Sequence, residues 1–169
     1  MFANEMDPAR AAMGANNTRV YDVERTVTWL ETDFLKLAQR FEEKCMNVDV
    51  VFCSPPWGGM SYLDGDYDIY SHITPPMAEI AKACSKISRS MVLYLPRNTN
   101  PLQVVSLLRY LPGYERTLHF ELFYRGTKLK TMACYIGRVA GIDAPESAQL
   151  LLKQVSVPYV GIMAQLFLE

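Results

Sequence analysis

The sequence contains no run of about 18 apolar residues that would mark a membrane-crossing helix, and no basic-then-apolar segment at its start. It therefore reads as a chain with no membrane partner. It has little net charge, -1 in formal terms, so no broad basic field draws it to long nucleic acid. Any nucleic-acid contact is expected to be local and short. Cys45, Cys53, Cys84 and Cys134 are far apart, with neither metal-ligand spacing nor the pattern of a secreted disulfide scaffold. They read as reduced core thiols, with no metal, in the nucleus or cytoplasm. The acids from Asp64 to Asp68 lack the spacing and closing glutamate of a calcium loop. His72 and His119 lie in no motif, so no general base is obvious and both read as structural or surface residues. Internal repeats and low-complexity tracts are missing as well.

What is present is enough for one domain with a core: 169 residues, half of them apolar. The organising stretch is Val50-Val51-Phe52-Cys53-Ser54-Pro55-Pro56-Trp57-Gly58-Gly59. An apolar run of strand formers ends in a stiff loop, as a buried parallel strand would. Ligands of open α/β sheets bind at that carboxyl edge. The prolines lack N–H groups, so the carbonyls of Ser54 and Pro55 need not enter a ladder and can face a ligand amine. Trp57 offers a flat face, and the two glycines admit another molecule. The stretch fits a planar base with an exocyclic NH2. A tight turn with a packed tryptophan is the alternative.

The remaining elements follow from caps and spacing. Met1 to Glu5 reads as a strand end. Asp7 caps a helix with Pro8 at its first position, weakened at Gly14 and ending near Thr18. Glu5, between strand and cap, can accept from sugar hydroxyls or be a solvated loop acid. Thr26 to Leu30 reads as a strand. Asp33 either caps the helix carrying Phe34, Leu37, Ala38 and Phe41 or meets a purine amine. Val48 to Cys53 is expected as a buried strand. Ser61 to Tyr70 reads as a lid or wall over the pocket. Thr74 is expected to cap a helix whose first turn holds Pro75 and Pro76 and whose buried face is Met77, Ile80, Cys84 and Ile87. A strand from Met91 to Leu95 ends in Pro96-Arg97-Asn98. Leu102, Val105, Leu108 and Leu111 mark the next helix. Leu118 to Tyr124 and Leu129 to Ile136, joined by Arg125-Gly126-Thr127-Lys128, form an antiparallel hairpin. The order implies an α/β sandwich, mostly parallel with an antiparallel edge. Beyond Gly137, a short helix from Ala144 through Leu152 and an apolar strand or packing arm from Val155 to Leu168 are expected.

Three segments together, Ser54-Pro55-Pro56-Trp57-Gly58-Gly59, Tyr94-Leu95-Pro96-Arg97-Asn98 and Lys128-Leu129-Lys130-Thr131, resemble the trimethylguanosine synthase family of RNA cap hypermethylases. The resemblance runs from about Phe2 to Gly137. It implies a class I, Rossmann-like methyltransferase fold, S-adenosylmethionine as methyl donor and 7-methylguanosine (m7G) capped RNA as partner, with transfer to the guanine N2. It further implies that Glu5 holds the cofactor ribose and Asp33 lies near the adenine amine. Ser54 and Pro55 would flank donor methyl and acceptor amine. Trp57, with Pro56 beside it, would stack on the methylated base. Arg97 and Asn98, with Lys128 and Lys130, would take the rest of the cap, the three cations its phosphates. No metal is implied.

The family pattern has a first strand and a Gly-rich loop ahead of the segment starting at Phe2. The expectation is therefore a partial methyltransferase domain over residues 1–137, with a C-terminal extension over 138–169. A fragment, a tail from Val155 to Leu168 filling the gap, and a non-catalytic cap-binding relative are the three explanations, the first being preferred. An amino-methyltransferase for another nucleobase is the further alternative.

Overall fold

The computed structural model describes residues 1–59, 65, 67–111, 117–141 and 162–167. The expected helix from Ala144 through Leu152 lies outside them. The chain divides into two compact units, Met1–Met46 and Asn47–Glu169.

In the first unit, β1 (Phe2–Glu5) and β2 (Thr28–Glu31) pair in parallel, with Glu5 opposite Glu31. Between them runs α1 (Pro8–Val20), capped by the Asp7 carboxylate, which accepts from the N–H groups of Ala9 and Arg10. This helix does not stop near Thr18. It continues through Gly14 to Val20, and Trp29 of β2 packs on that glycine so closely that an added Cβ would meet the ring at 2.0 Å. The helix ends instead where Asp22 turns left-handed at φ 55°. There Val23 N–H reaches Thr18 O at 2.8 Å and Asp22 N–H reaches Arg19 O at 3.0 Å. The next helix, α2 (Phe34–Glu43), ends in the same way at Cys45 and buries Leu37, Ala38 and Phe41, the expected face.

The second unit is a five-stranded sheet in the order β3-β4-β6-β5-β7. Its strands are β3 (Val51–Cys53), β4 (Ser90–Pro96), β5 (Thr117–Arg125), β6 (Lys128–Gly137) and β7 (Ile162–Phe167). β3 runs parallel to β4, while β6 is antiparallel to both β4 and β5, which gives the expected hairpin. β7 is antiparallel to β5, on the far side of the sheet from β3, so the described part of the tail extends the hairpin edge and does not fill a gap beside β3.

The core of this unit contains Met91, Leu93 and Leu95 from one face of β4, with Leu118, Phe120, Met132, Cys134 and Ile136. Helix α3 (Met77–Ile87) contributes Met77, Ile80, Cys84 and Ile87, as its spacing requires. Three expectations fail here. Pro75 and Pro76 precede α3 instead of opening it, since Pro76 O accepts the first helical N–H groups, from Glu79 and Ile80. The short α4 (Pro101–Ser106) passes into a 3₁₀ turn at Leu107–Tyr110, so the buried residues are Val104, Leu107 and Leu111, while Leu102 is 73% exposed. Val48 to Cys53 is not a buried strand: only three residues pair, and Phe52 in their middle is 65% exposed, because β3 stands at the end of this sheet. Among the described residues, no helix is long and apolar enough to cross a membrane.

Candidate active site

β3 and β4 are parallel, so their carboxyl ends share one edge, where Ser54-Pro55-Pro56-Trp57 and Arg97-Asn98 follow. The loop leaves Ser54 and Pro56 exposed, Pro55 buried and Trp57 half-buried. Gly58 and Gly59 take left-handed φ values of 81° and 71°, a reversal that a side chain at either position would strain.

The Trp57 indole is held by β4. Its N–H donates to the main-chain carbonyl of Tyr94 at 3.3 Å. Its ring stacks on the Tyr94 ring, with centroids 5.8 Å apart and planes 29° from parallel. Tyr94 in turn meets Phe52 at 6.2 Å and Phe123 at 6.0 Å, and its hydroxyl accepts from Thr131 Oγ1 at 2.8 Å. Four aromatic side chains thus lie together beside the loop, with Phe123 37% exposed. Tyr94 was not expected as a site residue. The available signal was one aromatic in an otherwise aliphatic strand.

Arg97 is exposed directly after the tip of β4. Asn98 builds the adjoining wall: its side-chain N–H donates to Gly65 O, and its main-chain carbonyl accepts from Tyr67 N–H at 3.1 Å. Residues 67–70 of the expected lid are a fixed wall. Tyr67 and Ile69 are almost fully buried. Gln103 of α4 accepts from Ile69 N–H at 3.1 Å, and the Tyr70 hydroxyl bonds to Ser106 Oγ. Asp68 accepts from Tyr70 N–H at 2.8 Å, and that bond leads the effects holding its carboxyl below the usual range. Apart from Gly65, the rest of Ser61 to Tyr70 lies outside the described residues.

Lys128 and Lys130 are exposed at the start of β6, alternating with Leu129 and Thr131. Strand alternation sends their stems from the face opposite the Thr131 hydroxyl, and because Thr131 pairs with Pro96 of the antiparallel β4, both lysines start at the carboxyl edge of β4. Burial pushes the Cys53 thiol up to about 12, so it is protonated at neutral pH and unsuited to be a nucleophile. His119 is buried edge-on against Tyr135, with ring centroids 5.8 Å apart, which fits the structural reading. A cavity of about 600 Å³, lined by Asp49, Arg89 and Arg138 among others, lies at the amino ends of β3 and β4. It is at the wrong edge for the loop chemistry.

The first unit carries the other two candidates. Glu5 ends β1 and Asp33 follows β2 by two residues, and because these strands are parallel both acids leave the same edge. Asp33 caps α2, accepting from Lys36 N–H at 3.1 Å, and Glu5 Oε1 accepts from Asp7 N–H at 3.0 Å. Each local bond occupies part of a carboxylate that offers about four acceptor sites, so both acids keep capacity for a nucleoside's hydroxyls and amine. As acceptors at one strand edge, these two carboxylates fit the ribose hydroxyls and adenine amine of a nucleoside cofactor such as S-adenosylmethionine.

Residues 1–139 match the family of RNA cap guanine-N2 methyltransferases. The chain belongs to that family. Trimethylguanosine synthase of Saccharomyces cerevisiae is 32% identical over 101 residues, which are 59% of this chain and 32% of the yeast protein. Trimethylguanosine synthase of Schizosaccharomyces pombe is 27% identical over 140 residues, 82% of this chain and 57% of that one. The chain thus matches about a third and a little over half of the lengths of these two relatives. Among solved structures, a SAM-dependent methyltransferase from Agrobacterium tumefaciens superposes with a TM-score of 0.60 at 14% identity, over 80% of this chain and 48% of that one. The METTL16 MTase domain superposes at 0.51 and 15% identity, over 80% and 49%. At such identities these likenesses show the fold alone, which is the expected α/β methyltransferase fold with its antiparallel hairpin. The cap guanine-N2 methyltransferase match ends at 139, two residues past the β6 terminus.

Proposed function

We propose that this chain carries the cap-binding and amine-presenting part of an RNA cap guanosine-N2 methyltransferase that acts on 7-methylguanosine. The observation that carries the reading is the Trp57 indole, half-buried at the carboxyl edge of β3 and fixed by Tyr94 beside the Ser54-Pro55-Pro56 loop.

A 7-methylguanine is cationic, so stacking on an indole gains a cation–π term of about 1–2 kcal/mol over plain guanine. Rigid presentation keeps that gain from being lost to ordering on binding. Pro55 has no N–H, and the carbonyls of Ser54 and Pro55 are the acceptors that orient the two N2 protons, leaving the lone pair directed outward. Glu5 and Asp33 hold ribose and adenine of the cofactor. S-adenosylmethionine, when bound, supplies a methyl group on a positively charged sulfur that the guanine N2 accepts without a covalent enzyme intermediate. Arg97 takes the cap phosphate nearest the loop, Lys128 and Lys130 the outer ones. Asn98 shapes the wall that bounds the base.

The test is methyl transfer from labelled S-adenosylmethionine to m7GpppG, GpppG and adenine nucleotides, with the product nucleoside identified. Label on N2 of m7G alone supports the reading. Label on an adenine amine establishes the alternative nucleobase. Binding of m7GpppG with no binding of S-adenosylmethionine by calorimetry establishes a cap-binding relative without catalysis.

A further inference from the structure

We propose that Lys82 and Arg109, gathered at the ring of Tyr110, bind backbone phosphates of the RNA that follows the cap, in a second short contact set apart from the loop after β3. The proposal rests on the capped-RNA reading above and adds where the body of that RNA is held.

The three residues come from two packed elements of the second unit. Helix α3 buries Met77, Ile80, Ala81, Cys84 and Ile87 and leaves Lys82 and Lys86 exposed, one helical turn apart. The 3₁₀ turn Leu107–Tyr110 packs against α3, with Leu107 and the following Leu111 buried. The exposed Arg109 and the half-buried Tyr110 are thereby brought to α3. Lys82 Nζ stands over the Tyr110 ring, 5.1 Å from its centre, and the guanidinium carbon of Arg109 stands 5.8 Å from the same centre.

The electron-rich ring face attracts each cation and so holds the two together. Arg109 is fixed further by its Nε–H, which donates to Ser106 O at 2.9 Å. Among the described residues, neither Lys82 nor Arg109 forms an ion pair, and Glu79, one turn earlier on α3, is not bridged to Lys82. Two like charges kept close without a carboxylate repel each other, so an anion that spans them gains from both. The ammonium N–H groups and the guanidinium N–H groups that remain suit the oxygens of successive phosphates. With a formal net charge of -1 over the chain, this attraction stays local and takes a few phosphates of a single strand.

The patch is within reach of the cap site. Helix α4 starts at Pro101, just past Asn98 at the carboxyl edge of β4, and its 6 helical residues with the 4 of the 3₁₀ turn span about 17 Å. A strand of about ten nucleotides, an ordinary site size for single-stranded binding, covers that distance.

The test measures binding of the full chain to m7GpppG, to an m7G-capped RNA of about ten nucleotides and to the same RNA uncapped, between about 50 and 200 mM salt. The parent is expected to bind the capped RNA more tightly than m7GpppG. The double variant Lys82→Gln, Arg109→Gln is expected to bind m7GpppG as the parent does and to lose about 1.4 from the salt slope of capped-RNA binding, about 0.7 for each phosphate contact removed. Both side chains are exposed, so the variant is expected to fold, which circular dichroism checks. Lys82→Arg with Arg109→Lys keeps both charges and is expected to keep the slope. A parent that gains nothing from the RNA body, or a folded double variant with an unchanged slope, overturns the proposal. Competition by polyglutamate as strong as by RNA of equal charge overturns it in favour of an acidic protein partner. Equal binding of capped and uncapped RNA, lost together in the double variant, upholds the phosphate contact and overturns the cap reading instead.

Discussion

A Cβ on Gly14 would lie 2.0 Å from Cη2 of Trp29 and 2.4 Å from its Cζ2. The glycine in the middle of α1 is therefore the surface on which β2 lays its tryptophan. In an open helix, Gly14→Ala would stabilise by up to about 1 kcal/mol through propensity. Here the ring must leave its seat, and overpacking of this kind costs about 1–3 kcal/mol. Urea denaturation followed by Trp29 emission in a Trp57→Phe background should show Gly14→Ala less stable than its parent. A more stable variant would show that the ring contact contributes nothing.

Burial lowers the pKa of His119, with Glu121 opposing that shift. The folded protein then prefers the neutral imidazole more strongly than the unfolded chain does. As pH falls through the ordinary histidine value of about 6.5, the unfolded chain takes up a proton first, so stability falls with pH in that window. Asp68, whose carboxyl is held below its usual value, gives a loss only near and below pH 4. Denaturation midpoints at pH 7.5 and 5.5 should therefore differ less in His119→Phe than in the parent. Equal differences would remove His119 from the account.

Cys84 and Cys134 are buried, and burial raises both thiols well above their ordinary range. The Cys53 thiol is pushed up to about 12. Cys45 is exposed at the end of α2. Brief alkylation of the native protein at pH 8 with iodoacetamide, mapped by mass spectrometry, should label Cys45 first and leave the other three thiols slow. Rapid labelling of Cys53 would contradict its placement beside the loop.

Much of this architecture was legible in the sequence because local chemistry decided it. Asp7 and Asp33 are caps that compete well for the first helical N–H groups, and the buried faces of α2 and α3 follow from spacing. What was not legible depended on distant partners. In sequence Gly14 reads only as a weak point of its helix, because Trp29 is not visible beside it. The buried face of α4 slipped by one or two positions where the helix tightens to a three-residue period at Leu107. Composition marks Val48 to Cys53 as a buried strand, although composition does not tell a central strand from one at the end of a sheet. At the candidate site the sequence marks a stiff reversal after β3, since Pro55, Pro56, Gly58 and Gly59 allow little else. Its supports were hidden, because Tyr94, Gln103 and Asn98 act over separations of 33 to 37 residues.

The most direct test of the account is a titration of the full chain with m7GpppG and GpppG, for the parent and for Trp57→Ala, read by calorimetry. A cation–π gain of about 1–2 kcal/mol predicts that the parent binds m7GpppG roughly five- to thirtyfold more tightly than GpppG, and that Trp57→Ala binds the two alike. Equal affinities in the parent, or a preference that survives the loss of Trp57, would contradict it.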